Sequence, residues 1–475
     1  MSLRGQNCRQ PNCPLRPLNL RMNLTGKQIS FHRKKSLFNP YKVLLLLTLI
    51  FGGVMLLRAI NQGDVKPMFA PTMTPTRTNR SHILEAQTQF EAGNLNAAIA
   101  AYQAAIELSP NDGTLWAELA RIQTYSSASL TTDAARSQRL NEALESINKA
   151  RDLSPDSSIV HAIRSFVLDW NANPVIAGEK TQAYLTEAEQ EAVRALQLDN
   201  GNTLALAFYA EILIDSLKWT QAQQYIEQAV ARDDTLMDVH RIYGQLWESM
   251  GDYPSAIEEY KKAAMLAPNM TFLYIYIGAN YRRMAANDPE SPYYINSLEY
   301  FEKAANINEQ LGVKDPVPYL SISKTYSQMG EFFIASRNVQ KALTFDPSNA
   351  DVYGQLGIVY FKAKNYEGSI PALKCAVYGC NAVESCDARQ CDAETDPDIV
   401  IAGLPISNTT VVYYYTYGSV LAGLARITND YCTESLRVFS EVRAQYYRDK
   451  DIMSIVQAGE QICESLYATP TPRGP

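Results

Sequence analysis

Apolar residues in this chain recur at helical spacing, in paired amphipathic stretches, from about Arg80 to Cys463. The pair itself returns roughly nine times. The clearest copy begins at Met237 and reads MDVHRIYGQLWESMGDYPSAIEEYKKAAMLAPN. Its landmarks return in YLSISKTYSQMGEFFIASRNVQKALTFDP and in VYGQLGIVYFKAKNYEGSIPALKCAV. A period of about 34 residues predicts a stack of helix pairs, since one pair cannot bury its apolar face alone. Such a stack supplies surface and shape for a partner more readily than chemistry.

One stretch departs from this rhythm. Val43 to Leu57 reads VLLLLTLIFGGVMLL, without a charge, between Lys42 and Arg58. A membrane-spanning helix needs about 20 residues, and Tyr41, Ala59 and Ile60 extend this one. The reading adopted is a signal-anchor over residues 41–60. A cleaved signal peptide is the rival, since the apolar core has the right length. Against it stand the long basic leader and the poor cleavage sequence RAINQGD. A buried soluble helix is the third reading, and the surrounding Pro, Asn and Arg oppose it.

Charge sharpens the picture. The 475 residues carry a net charge of −7, yet before Val43 there are nine Lys or Arg and no Asp or Glu. By the positive-inside rule the leader stays cytoplasmic and the rest lies outside. The acidic remainder gives no support for a nucleic-acid partner. The expected division is a basic leader at 1–40, the anchor at 41–60 and a Pro- and Thr-rich linker at 61–79. Then come a solenoid of about eight repeats at 80–377, a Cys-rich insert at 378–408, a degenerate repeat with a capping helix at 409–466, and a loose tail at 467–475.

Within the copy at Met237, Gly244 and Ala256 are the small residues, Tyr260 is the large ring, and Ala263 and Pro268 follow. Helices crossing closely need Gly or Ala at the crossing, and Gly251 suits the left-handed residue that ends a helix. The first copy has Ala86, Gly93, Ala98, Tyr102, Ala105 and Pro110; the eighth has Gly357, Leu373 and Ala376; a ninth, degenerate copy has Gly418, Ser435 and Phe439. Extra length falls near Ser126 to Ser137, near Asn171 to Lys180, and at NDPESPYY. These inserts are expected in loops on one edge of the stack, as partner contacts or as tolerated length.

The pattern resembles the tetratricopeptide repeat family, in a membrane-anchored bacterial form. The resemblance implies an all-α fold, a right-handed α-solenoid of helical hairpins preceded by one transmembrane helix. It also implies peptide binding in a concave groove lined by the first helix of each hairpin. Carried onto this chain, the groove positions are Asp238, Arg241, Gln245 and Glu248; Phe272, Ile275 and Arg282 in the next copy; and Ile358 and Phe361 in the eighth. The plainer alternative is that Phe272, Ile275 and Phe361 touch neighbouring repeats. The run YYYTY, Tyr413 to Tyr417, is likewise either core or a sticky surface. No run of Lys, Arg and Asn stands ready to clamp a C-terminal carboxylate.

Six of the eight cysteines lie late in the chain: Cys375, Cys380, Cys386, Cys391, Cys432 and Cys463. An even set beyond a membrane anchor fits disulfides in an oxidising compartment. Two bridges in or near the insert and Cys432 with Cys463 is the favoured pairing. A four-thiolate zinc site and free thiols are the alternatives, but the spacing is looser than paired C-x-x-C knuckles.

Little points to catalysis. The four histidines, His32, His82, His161 and His240, form no cluster, and His240 is expected to face the hairpin interior. No phosphate loop, zinc-protease helix or nucleophile elbow is present. No enzyme, cofactor or metal is expected. The reading that results is a membrane-anchored scaffold that recruits or organises envelope or secreted proteins through the groove. The alternatives are a self-assembling structural protein of the surface or envelope, and an accessory substrate-binding subunit of an enzyme complex. The first expects a monomer with an open groove, the second self-association through exposed aromatic or insert surfaces.

Overall fold

The computed structural model describes residues 39–62 and 77–467, apart from 131, 287 and 393–395. The basic leader with Cys8 and Cys13, most of the linker, and the tail beyond Tyr467 lie outside the described residues. The chain divides into two units, Met1–Thr76 and Arg77–Pro475.

The first unit holds helix α1, Pro40–Asn61. Twenty-two residues rise about 33 Å at 1.5 Å each, enough for a hydrocarbon core of about 30 Å. It is the one helix among the described residues long and apolar enough to cross a membrane. Its apolar side chains, Leu44 to Leu57, are exposed.

Among the described residues, the second unit is a solenoid of nine helical hairpins. They are α2 (Asn79–Glu91) with α3 (Leu95–Leu108), and α4 (Gly113–Ser127) with α5 (Asp133–Leu153). The third joins α6 (Ser158–Asn171) through the short α7 (Pro174–Ala177) to α8 (Thr181–Leu198). Next come α9 (Thr203–Asp215) with α10 (Trp219–Arg232), α11 (Met237–Met250) with α12 (Tyr253–Leu266), and α13 (Thr271–Met284) with α14 (Tyr293–Leu311). The seventh is α15 (Val317–Gln328) with α16 (Phe332–Phe345), and the eighth α17 (Ala350–Lys362) with α18 (Tyr366–Val377). After the insert, whose helix is α19 (Ala382–Arg389), α20 (Val411–Leu424) pairs with α21 (Cys432–Tyr446), and α22 (Lys450–Tyr467) packs on both.

The sequence explains why these stretches fold in pairs. Asn94, Asp252 and Asn365 cap second helices by accepting backbone N–H bonds, which satisfies donors a helix start leaves open. Gly251 ends α11 at φ 82°, where a Cβ would be strained. At the crossings, a Cβ on Gly244 would fall 2.8 Å from the Tyr260 ring, and one on Gly278 2.6 Å from Phe301. Each glycine lets the opposing ring approach the helix backbone. Phe301 is wholly buried there, which contributes about 1.5–3 kcal/mol.

The core follows the stack. One block runs through the second to sixth hairpins, and another through the seventh to ninth. Tyr413, Tyr414 and Tyr417 are buried in the second block, so most of the YYYTY run is core. In the insert, β1 (Gly379–Cys380) pairs antiparallel with β2 (Ile401–Ala402). Three disulfides lie in this region: Cys375–Cys380, Cys386–Cys391 and Cys432–Cys463. The last joins α21 to α22, closing the C-terminal end. The pairing matches the one favoured from the sequence.

Candidate functional site

The inner wall of the stack is built from the first helices of successive hairpins, and it does not stay open. Arg121 and Tyr125 of α4 both donate to Asp238 at the start of α11. The Tyr125 ring stacks on Phe272 of α13, with centroids 5.6 Å apart and planes 7° from parallel. Nearby, Gly93 ends α2 at φ 76°, and a Cβ there would fall 2.2 Å from the Asn269 carbonyl oxygen. The first two hairpins therefore touch the fifth and sixth across the inside of the superhelix.

This closure fixes where the expected groove residues stand. Asp238 is 1% exposed and Arg241 2%. Arg241 grips Glu211 of α9 with two bonds, of 2.7 and 2.6 Å, and its guanidinium lies over the rings of Tyr125, Phe166 and Trp170. Phe272 is buried beside Tyr125, and half-buried Ile275 lines a small cavity of about 70 Å³ with it. Gln245 and Glu248, by contrast, line a larger cavity of about 910 Å³. Glu248 accepts from the Tyr260 hydroxyl and from Asn280, both at 2.9 Å, and pairs with Arg283.

The remaining expected residues stand apart from that cavity. Arg282 donates to the Ser321 carbonyl at 3.1 Å and covers the Phe301 ring. Burial, then the charge of Arg283, lowers its pKa to about 10. Ile358 packs against the C-terminal core block. Phe361 is exposed and meets Tyr366 with ring centroids 5.7 Å apart.

The large cavity also brings together residues that the sequence reading passed over. Asp169 and Trp170 close α6, and Glu211 and Asp215 sit at the end of α9. The inward register of α11, carried back to α6 and α9, falls on Asp169 and Glu211, and that signal was available. Trp170 donates to Glu211 at 3.1 Å. Asp169 is 4% exposed, and neither carboxylate oxygen has a hydrogen-bond partner among the described residues. Burial, then the charges of Asp215 and Glu211, hold its carboxyl well above the usual range. Asp215 reaches water inside the cavity and accepts from Gln245 at 3.3 Å. The enclosing walls, then Glu211, push its carboxyl up to about 7. Ala128 and the segment at Asn173, Pro174 and Ile176 line the rim, so two of the extra-length inserts edge this cavity.

His161 and His240 bridge the helices of their hairpins. His240 bonds Glu259 through Nδ1 at 2.7 Å and the Asp234 carbonyl through Nε2 at 2.9 Å. His161 repeats the arrangement with Glu191 and the Pro155 carbonyl. Each joins the two helices of its hairpin. Among the described residues no three His, Cys, Asp or Glu side chains converge as metal ligands.

The body is thus a stack of helical hairpins with a large cavity along its inner wall. Family models described as tetratricopeptide repeats match residues 80–112 and 210–271. Among solved structures, the chain is similar to a thermophilic TPR protein of Thermus thermophilus, at 18% identity and TM-score 0.35, over 43% of this chain and 98% of that one. It is also similar to a tetratricopeptide repeat protein from Parabacteroides merdae, at 14% and 0.38, over 62% and 98%. A third is the human IFIT1 dimer with PPP-AAAA, at 16% and 0.47, over 83% and 92%. Among curated proteins, none matches the chain.

Proposed function

We propose that this protein is a non-catalytic scaffold of a membrane-anchored bacterial type, held by α1, whose repeat body recruits or organises envelope or secreted proteins. The observation that carries the reading is the inner wall. Helices of five consecutive hairpins surround a cavity of about 910 Å³, within the usual size of a ligand site. Gln245 and Glu248, two of the expected groove residues, face it beside Ser249. An extracytoplasmic body is supported by the basic leader and by three disulfides, which persist outside the cytosol.

Self-assembly has one observation in its favour. Met265, Ile295 and Phe333, on second helices of the hairpins, are largely exposed, and exposed apolar side chains favour association. Proximity labelling in native membranes, with the label fused after Pro475, separates the two. The scaffold reading expects a reproducible protein partner that is lost in Ser249→Trp, which places a large ring at the cavity, and kept in Met265→Ala. Recovery of the chain alone, lost in Met265→Ala, overturns it for self-assembly.

A further inference from the structure

The large cavity has a charge imbalance that its own residues leave unmet. Six charged side chains line it: Asp169, Glu211, Asp215, Glu248, Arg136 and Arg241. Arg241 is gripped by Glu211, Arg136 pairs with Asp133 at 3.6 Å, and Glu248 pairs with Arg283. Among the described residues, Asp169 and Asp215 form no ion pair, and Arg241, which acts on both, is already gripped by Glu211. Asp169 is the sharper case, since it lines the cavity, is almost wholly buried, and has no hydrogen bond to either oxygen among the described residues. A buried carboxylate without a partner costs free energy until it is protonated or a cation arrives.

The walls indicate what kind of cation fits. The charged groups around Asp169 are Asp215 and Glu211 from α9 and Arg241 from α11, with Tyr260 and Tyr276 from α12 and α13 across the space. No three carboxylates or histidines gather as metal ligands among the described residues. Instead, aromatic rings line the cavity along with the carboxylates, among them Trp170 and Trp219. Rings attract organic cations through their faces. The same wall already holds one guanidinium this way: Arg241 sits between Glu211 and the rings of Tyr125, Phe166 and Trp170. Asp169 and Asp215 repeat the acidic half of that arrangement on the side that opens to the cavity.

The geometry points to a binding site in this cavity for an organic cation, an alkylammonium or guanidinium group, met by Asp169 and Asp215 and flanked by Trp170. It rests on the reading of the inner wall as the working surface. The cation comes either from a basic side chain of a bound polypeptide or from a free amine. Burial and the charge of Glu211 push the Asp215 carboxyl up to about 7, so protonation competes with the cation and binding weakens as pH falls.

Isothermal titration calorimetry on the full-length protein in detergent tests this. The probes are spermidine, as the free amine, and the peptide acetyl-Gly-Arg-Gly-Arg-Gly-amide, as the side-chain source. At pH 8 at least one probe binds the wild type. The Asp169→Asn/Asp215→Asn variant, with its melting temperature checked, binds it at least tenfold more weakly, as does the wild type at pH 5.5. Spermidine alone binding assigns the site to a free amine, and the peptide alone binding assigns it to a basic side chain. Binding of neither probe, or equal binding by the variant, overturns the proposal. The scaffold reading fails separately, by Ser249→Trp leaving the labelled partner in place.

Discussion

Asp169 shows how one side chain records an unmet demand. Its carboxyl titrates higher in the folded protein than in the unfolded chain. The folded state then binds the proton more tightly, so stability falls as pH rises from the unfolded value toward the folded one. Asp169→Asn removes that cost. We expect it to raise the melting temperature at pH 8, on the order of 2 °C, and to change it little at pH 4. An equal change at both pH values would show that charge is not the cause. Lys364 makes a second case. It follows α17 at φ 61°, two residues past the helix end, the place where α15 is followed by Gly330 at φ 83°. A left-handed backbone costs a side-chain-bearing residue about 1–2 kcal/mol, partly offset by the greater freedom of unfolded glycine. Lys364→Gly should therefore stabilise the protein by about 0.5–1 kcal/mol, read by urea denaturation. Destabilisation would mean the Lys364 side chain contributes more than its backbone costs.

At the scale of the element, the hairpin is the unit, and a repeated ion pair helps to close it. His161 and His240 have raised pKa values, chiefly through their hydrogen bonds to Glu191 and Glu259. Both glutamates are lowered: burial raises them, but the bonds from the histidines and nearby cations outweigh it. The histidine contribution is whole below the unfolded value of 6.5 and is lost as pH rises through the folded one. The glutamate contribution is whole above 4.5 and is lost as pH falls through its lower folded value. The pairs therefore stabilise most between pH 4.5 and 6.5. Replacing either histidine by alanine should cost about 1.5–3 kcal/mol at pH 6 and less at pH 8.5. A pH-independent loss would make the imidazole a packing group only.

The hairpin was also the scale at which the sequence was most readable. Gly244 opposite Tyr260, and Gly418 opposite Phe439, could be paired by spacing alone, because a ring meeting a helix backbone demands a missing side chain. The cysteines were readable for a similar reason, since bridges at the end of the chain link residues near in sequence or in adjoining helices. Contacts such as Tyr125 on Phe272 were not. They join hairpins three or four repeats apart, and that meeting depends on the rotation accumulated over each step of the stack. Asp238 and Arg241 consequently read as free groove residues, while the fold turns them onto Arg121 and Glu211. Asp169 and Asp215 went unnoticed because their meaning comes from the cavity around them.

On the scale of the whole molecule, the solenoid behaves as a wall folded round a space. Repeats two to six enclose the cavity, and the contacts of Arg121, Tyr125 and Gly93 hold its two sides together. Beyond it, the C-terminal block is tied by Cys432–Cys463. The account makes the inside of this wall the working surface and the outside a passive one. Site-specific photocrosslinking in native membranes measures this directly, with the photoreactive residue placed at Gln245 inside or at Met265 outside. Met265 is 73% exposed, so accessibility alone favours the outer position. The account predicts adducts to a second kind of polypeptide from Gln245 and none from Met265. Adducts from Met265 alone, or adducts only between copies of this chain, would contradict it.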